Sequence, residues 1–335
     1  MTWTVPASPA PVPADAVGIT EVSGATLTRF ERGVLHAFAP NTWVRGAVYD
    51  HDGQLVKASL REGGTSGDKV LAADPLAAAR PANARHLPGR WLYGGQWMGQ
   101  FGHFITETLT SLWPAPSERV VDGLVFHPFV FGAGVTPWER ELLALAGYGD
   151  LPIVIVNEEP AVVEHLVVPG RSLKLNAWAD ARAVDVWQRM AGAVEPGPHA
   201  RVFLSRARFN EAQRAAGKPS RTTAEHDLQL EALFASRGFA VVHPETLAAR
   251  EQVALAAGAE VLAGAAGSSL HLSVFAPRTC RVVEVADTRS PRRALLAQDA
   301  LLAACGQERL LLPHAAVPEL AELLDEHLPD ENPEP

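Results

Sequence analysis

Residues 91–113 read WLYGGQWMGQFGHFITETLTSLW. The stretch opens on aromatic and β-prone residues, turns through Gly94, Gly95 and Gly99, and then takes up helical spacing. Phe101, Phe104, Ile105, Thr108 and Leu112 recur at that spacing and form one mostly apolar stripe. At ~100° per residue, His103 and Glu107 lie within ~40° of each other, on the side away from the stripe. The sequence therefore predicts a strand, a glycine turn, and a helix that packs with one face and presents an imidazole and a carboxylate on another. Pro114 stops the helix.

A His–Glu pair one turn apart has two readings. On a solvated helix face it contributes roughly 0.2–0.5 kcal/mol and does nothing else. In a site, the carboxylate fixes the imidazole tautomer and raises its basicity, as a general base requires. Placement favours the second reading, because α/β proteins gather ligand-binding groups where a glycine-rich strand exit enters a helix. Either His103 or Glu107 is then the candidate base.

The chain has 335 residues, 47% apolar and 20% charged, long enough for two domains with sizeable cores. Its formal charge of −9 argues against a general nucleic-acid binder, whose footprint is basic. The two cysteines, Cys280 and Cys305, have no metal-ligand spacing around them and read as free thiols of a reducing compartment. Residues 1–17 lack a basic start and an apolar run, so they read as a disordered Pro/Ala-rich lead-in, not a signal peptide. Residues 253–276 carry one formal charge, Glu260, but Gly258, Gly264 and Gly267 break the run. A buried helix–strand–helix passage fits it better than a membrane span. Residues 329–335 form an acidic, Pro-rich tail.

Working outward, Asp52-Gly53 marks a hairpin turn between 46–50 and 54–59. Strands are expected at 121–131, 151–156 and 161–168, and helices at 137–146 and 177–193. The run Glu195-Pro-Gly-Pro-His199 is the best linker, so an N-terminal α/β domain spans 18–194 and a C-terminal one 195–328. The second half alternates short buried strands with helices, one of them opened by the Thr222-Thr-Ala-Glu225 capping box. That rhythm is Rossmann-like.

Two motifs in the second half could hold an anion. Between Arg201 and Arg221 there are five Arg and one Lys against one Glu. Ser205, Arg206 and Arg208 leave the first strand in this basic loop, where guanidinium groups can clamp a phosphate. Arg221 closes the run. The second motif is the turn from Gly264 to Ser269, which follows a strand and opens a helix. Its amides and the Ser268 and Ser269 hydroxyls, with Gly264 and Gly267 shaping the turn, offer an anion site. No Lys follows the glycines, so this is not a P-loop. A solvated loop and a tight buried turn would use the same residues. Glu284, near the end of the next strand, could reach a ribose or sugar hydroxyl, or face water at a sheet edge.

Together these blocks resemble glycosyltransferase family 61. The residues that carry the resemblance are Gly102-His-Phe-Ile-Thr-Glu-Thr-Leu109, Phe203-Leu-Ser-Arg206, the 222–238 helix, and 239–285 with Glu251-Gln252, the Gly264 turn and Val283-Glu284. It covers about 91–285. The sequence departs from the family in one place: Ala266 stands where many members have a His in the turn, although His271 lies one helical turn on. The resemblance implies a GT-B-like α/β architecture, two Rossmann-like domains facing across a cleft. It also implies inverting transfer from a nucleoside-diphosphate sugar to a glycan or other hydroxyl acceptor, in the manner of bacterial capsular and surface polysaccharide enzymes.

On that reading the donor contacts are Ser205, Arg206, Arg208, Arg221, Gly264, Gly267, Ser268, Ser269 and Glu284. His103 and Glu107 are catalytic, and neither a metal nor a cofactor is required, since no Asp-x-Asp lies in the second half of the chain to hold a divalent cation at the donor. The expected location is the cytoplasm, with no transmembrane segment and with peripheral attachment to the inner membrane face left open. Two other classes stay open: a catalytically silent nucleotide- or sugar-binding protein, and another Rossmann-type transferase such as a methyltransferase.

Overall fold

The glycine pair within residues 91–113 does not end its strand. The computed structural model describes residues 2–34, 42–61, 69–71, 82–116, 120–129, 134–220 and 222–328. In it one strand runs through the pair, from Arg85 to Trp97. Gly94 and Gly95 sit where its pairing register shifts between Tyr93 and Gln96, as a bulge does. Gly95 has φ +74°, which glycine adopts at no steric cost. Gly94 supplies room instead: an added Cβ would fall 1.8 Å from the Phe126 ring.

The chain forms two compact units, one of residues 10–189 and one of residues 1–9 with 190–335. In the first, the strands of the main sheet are β1 (Ile19–Leu27), β2 (Val48–Tyr49), β3 (Arg85–Trp97), β4 (Gly123–Pro128), β5 (Ile153–Ile155) and β6 (Ala161–Pro169). They lie in the order β2-β1-β6-β3-β4-β5. The four from β6 to β5 are parallel, and β1 is antiparallel to both of its neighbours. The unit is therefore mixed α/β with the antiparallel N-terminal edge that its sequence alternation suggests. The Asp52-Gly53 turn forms, with the Asp50 amide 2.9 Å from the Gln54 carbonyl. The second arm of that hairpin then gives way to a 3-10 turn at Lys57–Ser59.

Three helical segments flank the sheet. The first starts as α1 (Phe101–His103), and the others are α2 (Pro137–Leu145) and α3 (Ala181–Ala191). Helix α2 starts where Thr136 and Glu139 satisfy each other: the Thr136 amide and hydroxyl both donate to Glu139, at 2.8 and 2.7 Å. The same carboxylate accepts from the Trp97 indole at 3.0 Å. Trp97 packs edge-on against Phe104 and Phe126, with centroids 5.2 and 4.9 Å away. One aromatic cluster thus ties the end of β3 to both helices and to β4.

The second unit carries β7 (Arg201–Leu204), β8 (Ala240–Val242), β9 (Val261–Ala265), β10 (Arg281–Val285) and β11 (Arg309–Leu312). All are parallel, in the order β8-β7-β9-β10-β11. By order of appearance this is 2-1-3-4-5, a doubly wound sheet whose order reverses between its first and third strands. Helices α4 (Ala207–Ala215), α5 (Ala224–Ala235), α6 (Ala249–Ala257), α7 (Leu296–Cys305) and α8 (Val317–His327) connect and flank the strands. The α5 cap is Thr223, one residue later than the capping box suggests, and it accepts from the His226 amide at 3.1 Å.

Three expectations need correction. The basic loop after β7 is the strand exit followed by helix α4. The Ser205 hydroxyl accepts from the Ala207 amide at 3.0 Å and so starts that helix. The Gly264 turn opens only a six-residue 3-10 helix, Leu270–Phe275, with a correspondingly short dipole. Part of the lead-in is also ordered. Thr4 exchanges backbone hydrogen bonds with Arg309 at 3.1 and 2.8 Å, and the Trp3 indole donates to the His327 carbonyl at 3.1 Å. The indole gives that segment apolar area and a donor to bury, which a Pro/Ala composition conceals. Residues 329–335 lie outside the described residues. Among the described residues, no helix is long and apolar enough to cross a membrane.

Gly94→Ala should destabilise the first unit by at least the ~1–3 kcal/mol of an overpacked core. A urea midpoint equal to that of the wild type would show that Phe126 can move aside.

Candidate active site

The helix that leaves β3 is irregular. After α1 it passes into a π-turn at Phe104–Thr108 and a 3-10 turn at Leu109–Leu112. Such turns drop regular i→i+4 bonds, and side chains satisfy several of the carbonyls. The Thr106 hydroxyl donates to Gly102 O at 2.8 Å and that of Ser111 to Glu107 O at 3.0 Å. Ser172 donates to Thr110 O at 2.6 Å, and the Trp187 indole to Ile105 O at 2.8 Å. Residues 104–112 are buried all round. The solvated polar face of the alternative reading is therefore absent from that stretch, and Glu107 faces inward.

Glu107 can be inside because it is paired on both oxygens. Its side chain is 4% exposed, while that of His103 is 38% exposed. His103 Nδ1 lies 2.7 Å from Oε1. Arg61, just beyond the 57–59 turn, donates from Nε to Oε2 at 2.7 Å and from Nη2 to Oε1 at 3.1 Å. Burial alone would raise the Glu107 pKa. The hydrogen bonds from His103 and Arg61, with their charges, outweigh it and hold the group at about 2. An ionised Oε1 requires Nδ1 to be the donor, which leaves Nε2 as the lone-pair nitrogen of the neutral ring.

A second polar chain backs this group. Tyr93 Oη donates to His127 Nδ1 at 2.8 Å, and His127 Nε2 donates to the Thr28 carbonyl at 2.9 Å. Burial lowers the His127 pKa to about 4 and raises that of Tyr93, so both stay neutral. Arg171, just past β6, donates to the Leu60 carbonyl at 3.2 Å and to Gln96 Oε1. The residue before Arg61 is thereby held to the carboxyl ends of β3 and β6, where the strand order of this sheet also reverses.

In the second unit, a cavity sits at the reversal between β7 and β9. Phe203, Ser205, Arg206, Asn210 and Thr222 line it from one side, and Ala265, Ala266 and Asp287 from the other. The structure thus brings Ser205 and Arg206 to the same cavity as the backbone of the glycine turn. The Ser205 hydroxyl donates to Glu231, and the Arg206 guanidinium lies 4.6 Å from the Phe209 ring centroid. Arg208 is exposed on the first turn of α4, and Ser268 is exposed in the turn. Gly267 has φ +148°, and the Ser269 hydroxyl is buried without a hydrogen-bond partner. Arg221 lies outside the described residues.

Glu284 is not at a sheet edge facing water, nor does it line this cavity. It is fully buried on β10, with Arg309 Nη1 3.3 Å away, and Arg309 also pairs with Asp299. Burial pushes its pKa up to about 7, against the pull of Arg309. β11 covers the flank that the sequence reading left open. His271 is likewise buried, its Nδ1 2.9 Å from Gln298.

Sequence reading missed Arg61, Asp287 and Arg289. Arg289 pairs with Asp287 at 2.6 Å and donates to the Ala266 carbonyl at 3.0 Å, which sets a cation against the glycine turn. Arg61 lies 46 residues from Glu107, outside any periodic element, so no pattern points to it. Asp287, an acid two residues past a buried strand, left a signal that could have been used.

The sequence model for glycosyltransferase 61 matches residues 101–283, more than half of the chain. The chain belongs to the glycosyltransferase 61 family. It is a glycosyltransferase, whose substrates are a sugar donor and an acceptor. The matched segment begins in α1 and ends in β10, so it holds His103, Glu107, Ser205, Arg206 and the glycine turn of this glycosyltransferase. No curated protein matches the chain.

Glu107 also predicts an acid limit on stability. A carboxyl held at about 2 against an ordinary 4.5 stabilises the fold above pH 4.5 and stops doing so as pH falls through about 2. A shift of this size corresponds to about 3 kcal/mol. The gap in unfolding free energy between wild type and Glu107→Gln should narrow by that order between pH 5 and pH 2. A gap independent of pH in urea titrations would mean that Glu107 is not ionised in the native state.

Proposed function

We propose that this glycosyltransferase inverts: it moves a sugar from a nucleoside diphosphate to a hydroxyl acceptor, with His103 as the general base. The observation that carries the reading is the 2.7 Å His103–Glu107 contact to a carboxylate already bound by Arg61. A carboxylate with both oxygens engaged and a pKa of about 2 is a weak base. That favours His103 Nε2 over Glu107 as the proton acceptor. In the step proposed, Nε2 takes the proton of the acceptor hydroxyl while that oxygen bonds to the anomeric carbon. The bond from this carbon to the diphosphate oxygen breaks on the opposite face, and the diphosphate leaves with the electron pair. The imidazolium that forms is stabilised by Glu107, as in other His–carboxylate pairs.

The donor reading rests on the cavity at the strand-order reversal of the second unit, the usual ligand position in doubly wound sheets. Ser205, Arg206 and Arg208 come from one strand exit, and Gly264, Gly267, Ser268 and Ser269 from the other. Arg221 stays among the candidates, and Arg289 joins them. Arginine groups aimed at the leaving diphosphate can stabilise its developing charge without a divalent ion. Glu284, engaged by Arg309, is reassigned to structure. We infer a GT-B-like division of labour, with the nucleotide on the C-terminal unit and the base on the N-terminal one. A role in surface or capsular polysaccharide synthesis at the cytoplasmic side follows from the resemblance.

His103→Ala should lower turnover by roughly 10²–10⁴, assayed in EDTA, with UDP binding unchanged. Glu107→Gln should cost less than His103→Ala, because the imidazole survives without its fixed tautomer. The reverse ranking would exchange the two roles, and an EDTA-silenced wild type would remove the metal-free mechanism. UDP or another nucleoside diphosphate at ~100 times its dissociation constant should stabilise the protein by about 2.7 kcal/mol. Arg206→Ala should weaken that binding by about 1.5–3 kcal/mol. S-adenosylmethionine stabilising in place of every nucleoside diphosphate would turn the reading towards a methyltransferase.

A further inference from the structure

We propose that Arg61 is a positioning residue of the transfer reaction, acting through Glu107 on the orientation and proton affinity of His103. The proposal rests on the assignment of His103 as the base.

Arg61 meets the carboxylate side-on, Nε to one oxygen and Nη2 to the other. A planar fork fixes the plane of the carboxylate as a single ammonium could not. Its second contact falls on Oε1, the oxygen that His103 Nδ1 also contacts. The two donors therefore share the negative charge of one oxygen. With Arg61 present, Glu107 orients the imidazole but pulls less on its proton. Without Arg61, a buried carboxylate facing only His103 would hold the imidazolium tightly and store the proton that the base has to give up.

Among the described residues, the charged groups facing Glu107 are His103 from its own helix and Arg61 from the segment after the 57–59 turn. Arg171, which holds the residue before Arg61, is itself occupied by the Leu60 carbonyl and Gln96. Arg61 is held in place from two sides. Its guanidinium lies 4.8 Å from the Phe129 ring centroid, and Arg171 pins the residue before it. Its Nη1 is buried without a hydrogen-bond partner, an expense that a pair selected for stability alone would avoid.

The test uses the full chain with Arg61→Met and Arg61→Lys, measuring kcat and KM against pH, with melting temperature and UDP binding as controls of folding. Arg61→Met should leave UDP binding within about twofold and lower kcat at pH 7 by roughly 10–100-fold, as loss of an outer-shell partner does. The acid limb of its kcat profile should move up by about one pH unit, because a His beside an unshared carboxylate holds its proton more tightly. Arg61→Lys should restore the limb, since the charge returns, but only part of kcat, since the fork does not. A lowered melting temperature with kcat and the acid limb unmoved, while His103→Ala is inactive, would overturn the role of Arg61 alone. An active His103→Ala would remove the base assignment and the proposal with it. Faster turnover in Arg61→Met would overturn both, because freeing Glu107 would then have released the true base.

Discussion

Glu107 is an ion removed from water, and much of the N-terminal unit is arranged around that fact. A buried carboxylate without partners is destabilising by several kcal/mol, so the chain must deliver a cation to it. The cation comes from Arg61, far away in sequence, and bringing it there fixes a further set of groups. Arg171 holds the Leu60 carbonyl and reaches Gln96, the Gln96 amide lies 3.5 Å from the Tyr93 hydroxyl, and Tyr93 donates to His127. The chain of contacts ends on the carbonyl of Thr28, just past β1. Charge is concentrated at one end of this network and the far end is neutral. At the charged end the ring of His103 reaches solvent, while Glu107 and Arg61 are buried.

Both sheets place polar groups at the same kind of topological position. In each, the strand order reverses beside a strand that exits into a short helical segment: β3 into α1, and β7 into α4. In a doubly wound sheet adjacent crossovers depart to opposite sides at such a point, which leaves the carboxyl ends of two parallel strands uncovered. In the N-terminal unit the gap is filled by an irregular helix whose lost carbonyl bonds are taken up by Thr106, Ser111, Ser172 and Trp187. In the C-terminal unit it remains a cavity, edged by Arg206 and the Ala265–Ala266 backbone.

How much of this could be read from the sequence depended on the range of each interaction. Local signals served well: the hairpin at Asp52-Gly53, the Pro137 start of α2, and the strand–helix alternation of the second half are set by neighbouring residues. The pair His103 and Glu107 was visible because it is one turn apart. Its burial was not, because that depends on Arg61, which no periodicity links to it. The helical stripe misled for a related reason. Thr106, Thr110 and Ser111 look like a polar face in a regular helix, yet here their hydroxyls turn back to the backbone. Glu284 was misplaced because the sequence does not say which strand is the edge. β11 pairs beyond β10 and encloses it.

The exchange between Thr4 and Arg309 makes the C-terminal sheet discontinuous in sequence. Residues near the start of the chain lie against its last strand, while residues 10–189 form another unit between them. In topological terms the N-terminal unit is an insertion into the sheet that carries the candidate nucleotide cavity. During synthesis the segment that covers β11 emerges first and waits for almost the whole chain before its partner exists. Until then the backbone groups of that segment have no strand to pair with, and an unpaired strand edge is the part of a folding chain most prone to pairing with a stranger.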